Sequence, residues 1–242
     1  LYHVLRAVTW RMLSAAYGPV RKSLKLSTLP WYGPYYRQKK QDRRILYGFS
    51  PALLPPSTSW PAGVQVCGNW FLSGESQWRA SEELLDFLAA GEKPIYLGFG
   101  SMLSDDTDNL SAIIYNENIF VIDAAPHDWL FPQVALAVHH GGAGTTAAAI
   151  RAGIPSVVIP FFGDQPFWAW RLAQNGVAPK MLKRKSLSAA GLVDAIAEAS
   201  ALSMQNSARE LAQEIAKENG VRTAIKLLRQ WELLGPSASQ SG

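Results

Sequence analysis

The residues best suited to chemistry stand together in His139-His140-Gly141-Gly142-Ala143-Gly144-Thr145-Thr146, between an aliphatic run and an alanine-rich stretch. Three glycines let the backbone approach a ligand closely, and a helix that starts there aims free N–H groups and a positive dipole end at it. That is an anion site, suited above all to phosphate. It is not a P-loop, because Thr145 stands where the lysine would follow the last glycine, and it does not match the dinucleotide fingerprint. A tight strand–helix turn, common in α/β folds, is the plainer reading. A second candidate is Phe162-Gly163-Asp164-Gln165-Pro166. A carboxylate beside an amide offers several acceptors and two donors in a small space, which suits sugar hydroxyls. The plainer reading has Asp164 capping the helix that Pro166 opens. His127, His139 and His140 could be counted as a three-histidine metal site, but adjacent histidines at a strand end point to opposite sides, so no metal is expected.

These loops need elements to position them. Pro94–Phe99, Asn118–Asp123, Val134–His139 and Ser156–Pro160 are rich in Ile, Val and Leu, as in strands buried on both faces of a parallel sheet. Helical patterns cover Ser81–Ala90, with its capping serine, then Thr145–Ala152, Pro166–Asn175, Ser188–Ser200, Met204–Asn219 and Val221–Trp231. The alternation predicts a doubly wound α/β domain, in which ligands bind outside the carboxyl ends of the strands. The loops to watch are therefore Gly100-Ser101-Met102, Ala124–Asp128, His140–Gly144 and Phe161–Gln165. Upstream, residues 1–25 read as an apolar, basic helix broken near Gly18-Pro19. Ile45–Phe49 and Val64–Cys67 read as short strands, and the prolines of Ser50–Pro56 as a linker. Residues 1–60 are set apart from a domain at 61–235, and 236–242 form a polar tail expected to be disordered.

With 242 residues, 48% hydrophobic and 17% charged, the chain is long and apolar enough to bury a core without staples. Its one cysteine, Cys67, excludes an internal disulfide framework and a cysteine-rich zinc site, and fits a reducing compartment. No apolar run reaches the ~18 residues of a membrane span, and no secretory pattern opens the chain, so a cytoplasmic location is expected. The chain begins Leu1-Tyr2-His3, which raises the expectation of a fragment or processed product. The net charge of +4 is uneven: residues 1–60 hold ten Lys/Arg against Asp42 alone. The densest basic run, Arg37–Arg44, follows the aromatic patch Trp31–Tyr36. Rings beside cations suit a membrane–water interface, so peripheral contact with an anionic membrane is expected, against the plainer reading of a solvated linker. No nucleic-acid module is recognised, and nucleic acid is not an expected partner.

Ala125-Pro126-His127-Asp128-Trp129, the His139–Thr146 loop and Phe162–Pro166 together resemble the donor-binding signature of GT-B nucleotide-sugar glycosyltransferases. Within that superfamily the resemblance is to sterol 3-β-glucosyltransferases and bacterial lipid or natural-product glycosyltransferases. Tyr47-Gly48-Phe49-Ser50-Pro51, Trp60-Pro61 and Gly98-Phe99-Gly100-Ser101-Met102 follow the same group in the same order, over about residues 25–230. The resemblance implies a Rossmann-like donor domain with a remnant of an N-terminal acceptor domain before it. The implied reaction transfers a hexose, expected to be glucose, from a UDP-sugar to a lipophilic alcohol such as a sterol, inverting and without a metal.

The resemblance also implies roles. His139 would bond a donor phosphate. Gly142, Ala143, Gly144 and Thr145 would cradle the diphosphate, and Ser101 would approach it from the neighbouring loop. Asp164 and Gln165 would hold the sugar hydroxyls, while His127 and the Ala125 backbone would border the nucleobase. Ala124 stands where the plant small-molecule branch has a tryptophan stacked on uracil. Asp105-Asp106-Thr107-Asp108 contains an Asp-x-Asp that holds a cation in a different glycosyltransferase fold, and is expected here to be a solvated loop. Nothing matches the His–Asp base of full-length relatives, and His3 has no plausible partner nearby in sequence. Leu103–Glu117 is also too short for the helix and strand usual there. The alternative is a non-catalytic nucleotide-sugar-binding subunit that needs a separate acceptor and base domain.

Overall fold

A computed structural model describes residues 2–31, 33, 44–71, 78–100 and 119–235. The chain divides into two compact units, Leu1–Leu46 with Ser59–Gln65 and Tyr47–Thr58 with Val66–Gly242.

The first unit is led by α1, Tyr2–Ser23. The break expected at Gly18-Pro19 does not occur, and the helix runs through Pro19. Proline lacks an N–H, so the rung to the Ala15 carbonyl is lost while the helix continues past it to Ser23. The helix ends where Lys25 takes a positive φ of 53° and the Leu26 N–H returns to the Arg21 carbonyl at 2.9 Å. Arg21 also donates twice to the Ser27 carbonyl, turning 26–31 back along the helix. Val4, Val8, Met12, Tyr17 and Val20 are exposed on α1. No helix among the described residues is long and apolar enough to cross a membrane.

Ile45–Tyr47 (β1) pairs with Val64–Val66 (β2). The proline-rich stretch that follows β1 is fastened rather than loose. Ser50 Oγ accepts from the Ala52 and Leu53 N–H groups and donates to Glu218 Oε1 at 2.6 Å, and Leu53 joins the core beside Ile150 and Trp168.

The second unit is built on a parallel sheet. Glu82–Ala89 (α2) opens on Ser81, whose side chain accepts from the Leu84 N–H. Ile95–Gly98 (β3), Leu136–His139 (β4) and Ser156–Val158 (β5) lie side by side in that order. The register pairs Gly98 with His139 and His139 with Val158, so the three strands end in one row and their loops leave from one edge. His127–Leu130 (α3) and a 3₁₀ turn at Phe131–Gln133 precede β4. Then follow Ala143–Ala152 (α4), Gln165–Gln174 (α5), Ala189–Ala199 (α6), Leu202–Ala216 (α7) and Gly220–Gln230 (α8).

Alternation along the strands feeds both faces of the sheet. Leu136, Val138, Val157 and Ile159 pack against Leu192, Ala195 and Ala199 of α6. Ala137 turns the other way to Phe131 and Ala149, and Val158 to Ile150, Trp168 and Leu172. Both faces are covered, as the doubly wound reading requires. One strand expectation fails. Residues 119–123 are not a strand, although Phe120 packs on Phe87 and Ile122 on the core while Ile119 and Val121 stay exposed. The period-two pattern is real, but among the described residues no neighbouring strand pairs with it, and hydrogen bonding rather than alternation makes a strand. The Leu103–Glu117 segment, Asp105–Asp108 and the tail 236–242 lie outside the described residues.

Candidate nucleotide-sugar site

Of the loops that leave the common edge of the sheet, the one between β4 and α4 is tightly constrained. Gly141 has φ +83°, and a Cβ there would lie 2.7 Å from Val158 Cγ1 and 3.2 Å from the Gln165 carbonyl oxygen. Only glycine satisfies both the conformation and the space. At Gly142 a Cβ would lie 2.5 Å from His140 Nε2, so the bare backbone lets that imidazole lie over the start of α4. No side chain caps α4, and its first N–H groups are left to a ligand or to water.

His139 ends β4 fully buried. The Gly141 N–H donates to its Nδ1 at 3.0 Å, so the proton of the neutral ring sits on Nε2. That Nε2–H is buried with no partner among the described residues. Burial first, then the nearby His140 and His127, pushes the His139 pKa from 6.5 down to about 3. His139 therefore offers a neutral hydrogen-bond donor and not a charge. Alternation sends adjacent side chains to opposite sides, and among the described residues no group of three His, Cys, Asp or Glu is arranged to hold a metal ion.

His127 opens α3, where its ring stacks on Phe131 at 4.5 Å and its Nε2 lies 3.4 Å from the Tyr96 hydroxyl. Burial holds its pKa below the ordinary value. His127, Asp128, Ala143 and Gly144 line a cavity of about 760 Å³, which Phe49, Trp70, Phe71 and Trp168 wall with rings. Sequence reasoning marked Ala124–Asp128 as a loop to watch and quoted Asp128 within the Ala125–Trp129 motif, but gave it no role and did not foresee this aromatic wall. The rings are scattered from 49 to 168, and no local pattern in sequence connects them.

The loop between β5 and α5 is self-contained. Gln165 is buried, and its Oε1 accepts from the Phe161 N–H at 2.7 Å and the Phe162 N–H at 3.0 Å. Asp164 is exposed and occupies the N-cap position of α5, but its side chain makes no capping bond. Its Oδ2 accepts instead from Trp168 Nε1 at 2.8 Å, and Trp168 lines the cavity. Of the other expected residues, Ala125 and Thr145 are half-buried beside these loops, and Ser101 lies outside the described residues.

Comparison with known proteins identifies the family and the fold. The family model for the erythromycin biosynthesis protein CIII-like C-terminal domain matches residues 83–224. The chain is 32% identical over 251 residues to sterol 3-beta-glucosyltransferase UGT80B1 of Arabidopsis thaliana, covering 93% of this chain and 41% of that protein. It is 34% identical over 269 residues to the sterol 3-beta-glucosyltransferase of Aspergillus oryzae, covering 94% and 19% respectively. The chain thus spans well under half of these relatives. Among solved structures it resembles LpCGTa in complex with UDP, with a TM-score of 0.63 at 15% identity, over 79% of this chain and 56% of that one. It also resembles the spinosyn rhamnosyltransferase SpnG complexed with thymidine diphosphate, with a TM-score of 0.55 at 19% identity, over 77% and 56%. The shared fold is GT-B.

Proposed function

We propose that this chain, which belongs to the erythromycin biosynthesis protein CIII-like C-terminal domain family, binds the donor in a glycosyl transfer from a UDP-sugar to a sterol-like alcohol. The observation that carries the reading is His139: a buried, unpartnered Nε2–H on a neutral ring beside an uncapped helix start. Such donors suit a diphosphate, which gains negative charge as it departs. The acceptor oxygen attacks the anomeric carbon as the bond from that carbon to the diphosphate oxygen breaks, inverting the centre and releasing UDP. N–H groups and the helix dipole meet the departing charge, so the step needs no divalent cation. Asp164 takes a hexose hydroxyl from the next loop, and Gln165, whose Oε1 accepts from the Phe161 and Phe162 N–H groups, holds that loop in place. The names of the sterol glucosyltransferase relatives support glucose and a sterol.

The acceptor's proton passes to a base outside this donor half. Because the chain spans 41% of one relative and 19% of another, a second reading is a binding subunit that works with a separate acceptor chain. A sterol-like acceptor resides in a bilayer. The proposal therefore includes a cytoplasmic, peripheral membrane position, supported by the exposed apolar residues of α1 and the basic run to Arg44.

Calorimetric titration with UDP, with and without EDTA, tests the core of the reading. Binding unchanged by EDTA is expected, and loss of binding in EDTA would overturn metal independence. Turnover of UDP-glucose and a sterol by the isolated chain separates the two readings: transfer supports the enzyme, and UDP binding without transfer supports the subunit. Sedimentation with vesicles of increasing anionic lipid tests the membrane position, which binding that ignores lipid charge would rule out.

A further inference from the structure

We infer that the outer face of α5 is an acceptor platform, on which Phe167 and Trp170 receive a flat, polycyclic alcohol; the inference rests on the glycosyl-transfer reading above. One face of α5 is spent on the core, where Gln165, Trp168, Ala169 and Leu172 are buried. At ~3.6 residues per turn, Phe167 and Trp170 come out on the opposite face, three residues apart and so neighbours. They are 42% and 48% exposed, with ring centroids 6.1 Å apart. Phe162, in the turn that leads into Asp164, is 61% exposed.

Apolar area left in water is unfavourable, and neighbouring exposed rings mark a contact surface in a way that single scattered ones do not. Arg171 is the one charged residue of α5. Its guanidinium donates to the Leu53 carbonyl and lies over the Trp170 ring at 5.3 Å, so its charge is held against the protein. A patch that docks on anionic headgroups needs cations projecting around its rings, and this helix face does not supply them. A neutral apolar ligand suits it better.

The order of the loops says which ligand that is. His139 of β4 pairs with Val158 of β5, so the β4–α4 and β5–α5 turns stand side by side. The diphosphate belongs to the first turn and the hexose to Asp164 in the second. Inversion brings the acceptor oxygen to the anomeric carbon from the side away from the diphosphate. The line from diphosphate through hexose therefore runs on to the start of α5. There the Phe167 N–H donates to the Asp164 carbonyl at 3.0 Å, which ties the first ring to the residue that takes the hexose. A flat apolar body stacks well on aromatic rings, with its hydroxyl end directed to the sugar. Binding energy from that remote body then holds the reacting oxygen in place.

Titrations of the full chain with cholesterol delivered from cyclodextrin, with hexadecan-1-ol and with UDP test the inference. The wild type should bind cholesterol in the presence of UDP, and more tightly than the flexible straight-chain alcohol. Phe167→Ser and Trp170→Gln should each weaken cholesterol about tenfold, the worth of the apolar burial lost with a half-exposed ring, and leave UDP unchanged. Trp170→Phe keeps a ring and should keep most of the affinity. Cholesterol binding unchanged in both ring-deleted variants, or an equal loss for cholesterol and UDP, would overturn the assignment. So would a matching loss of binding to sterol-free anionic vesicles, which would give the rings to the bilayer. A wild type that binds UDP but not cholesterol would overturn the platform and leave the donor reading intact, whereas one that does not bind UDP would overturn the donor reading itself.

Discussion

Two neighbouring loops treat their buried polar atoms in opposite ways. Around the turn from β4 to α4, His139 Nε2 at the end of the strand, His140 Nδ1 in the loop and Thr146 Oγ1 in the helix are buried with no partner among the described residues. Between β5 and α5, Gln165 Oε1 takes two backbone N–H groups and Asp164 Oδ2 takes the Trp168 indole. A buried unpartnered polar atom costs roughly 1–3 kcal/mol. The first turn thus keeps hydrogen-bonding capacity that the second spends on its own backbone and on Trp168. Gly141 joins the two, since its missing side chain is the space between Val158 and the Gln165 carbonyl.

That junction is the place to break the contrast outright. Gly141→Val places a branched side chain at φ +83° and against two close neighbours, and should cost about 3 kcal/mol or more, from left-handed strain plus overpacking. Urea denaturation should show the loss without any ligand present, and an unchanged midpoint would mean that the two loops are not coupled through this glycine. Gln165→Leu should cost about 2–3 kcal/mol in the same assay, because two N–H groups lose their acceptor.

The β4–α4 loop should respond to ligand instead. His139→Ala should weaken UDP binding by about 1.5–3 kcal/mol, the scale of a hydrogen bond to a charged group. His139→Asn sharpens the test, since its side-chain oxygen can still accept from the Gly141 N–H while the Nε2 donor is gone. It should keep most of the urea midpoint and lose the UDP affinity. Stability should also depend on pH with a definite sign. The folded His139 pKa of about 3 lies below the ordinary 6.5, so the unfolded chain takes up a proton that the folded one refuses. The contribution of His139 is full above pH 6.5 and declines as pH falls toward 3, and burial gives His127 and His140 the same sign. Thermal midpoints between pH 3 and 7 should slope less steeply in His139→Asn; equal slopes would assign the acid sensitivity to other groups.

The contrast between the loops was only half legible in the sequence. Glycine spacing, a strand before and a small-residue helix after marked the β4–α4 loop, because local geometry forces those residue types. Spacing could also place Gln165 at a strand end, but not show that its oxygen turns back onto Phe161 and Phe162, which depends on tertiary packing. Residues 119–123 went wrong in the opposite direction: the alternation was visible, but not that no strand among the described residues pairs with it. Pro19 misled because a proline that removes one rung can kink a helix as well as end it, and the helix runs on to Ser23.

Asp164 is where the comparison is most delicately balanced, and the smallest effect is expected there. It belongs to the satisfied loop, yet it is exposed and its partner Trp168 lines the cavity. If its work is wholly internal, Asp164→Ala frees the Trp168 indole N–H and weakens UDP and UDP-glucose alike. If Asp164 also receives a sugar hydroxyl, UDP-glucose loses about 1 kcal/mol more than UDP, a single hydrogen bond's net worth. The second outcome is the one expected, because a carboxylate has acceptor capacity beyond one indole N–H and the hexose is the part of the donor that UDP lacks. Parallel titrations of the two ligands against Asp164→Ala decide it. Equal losses would make the β5–α5 loop scaffold alone, and would leave the hexose to be recognised from the acceptor side.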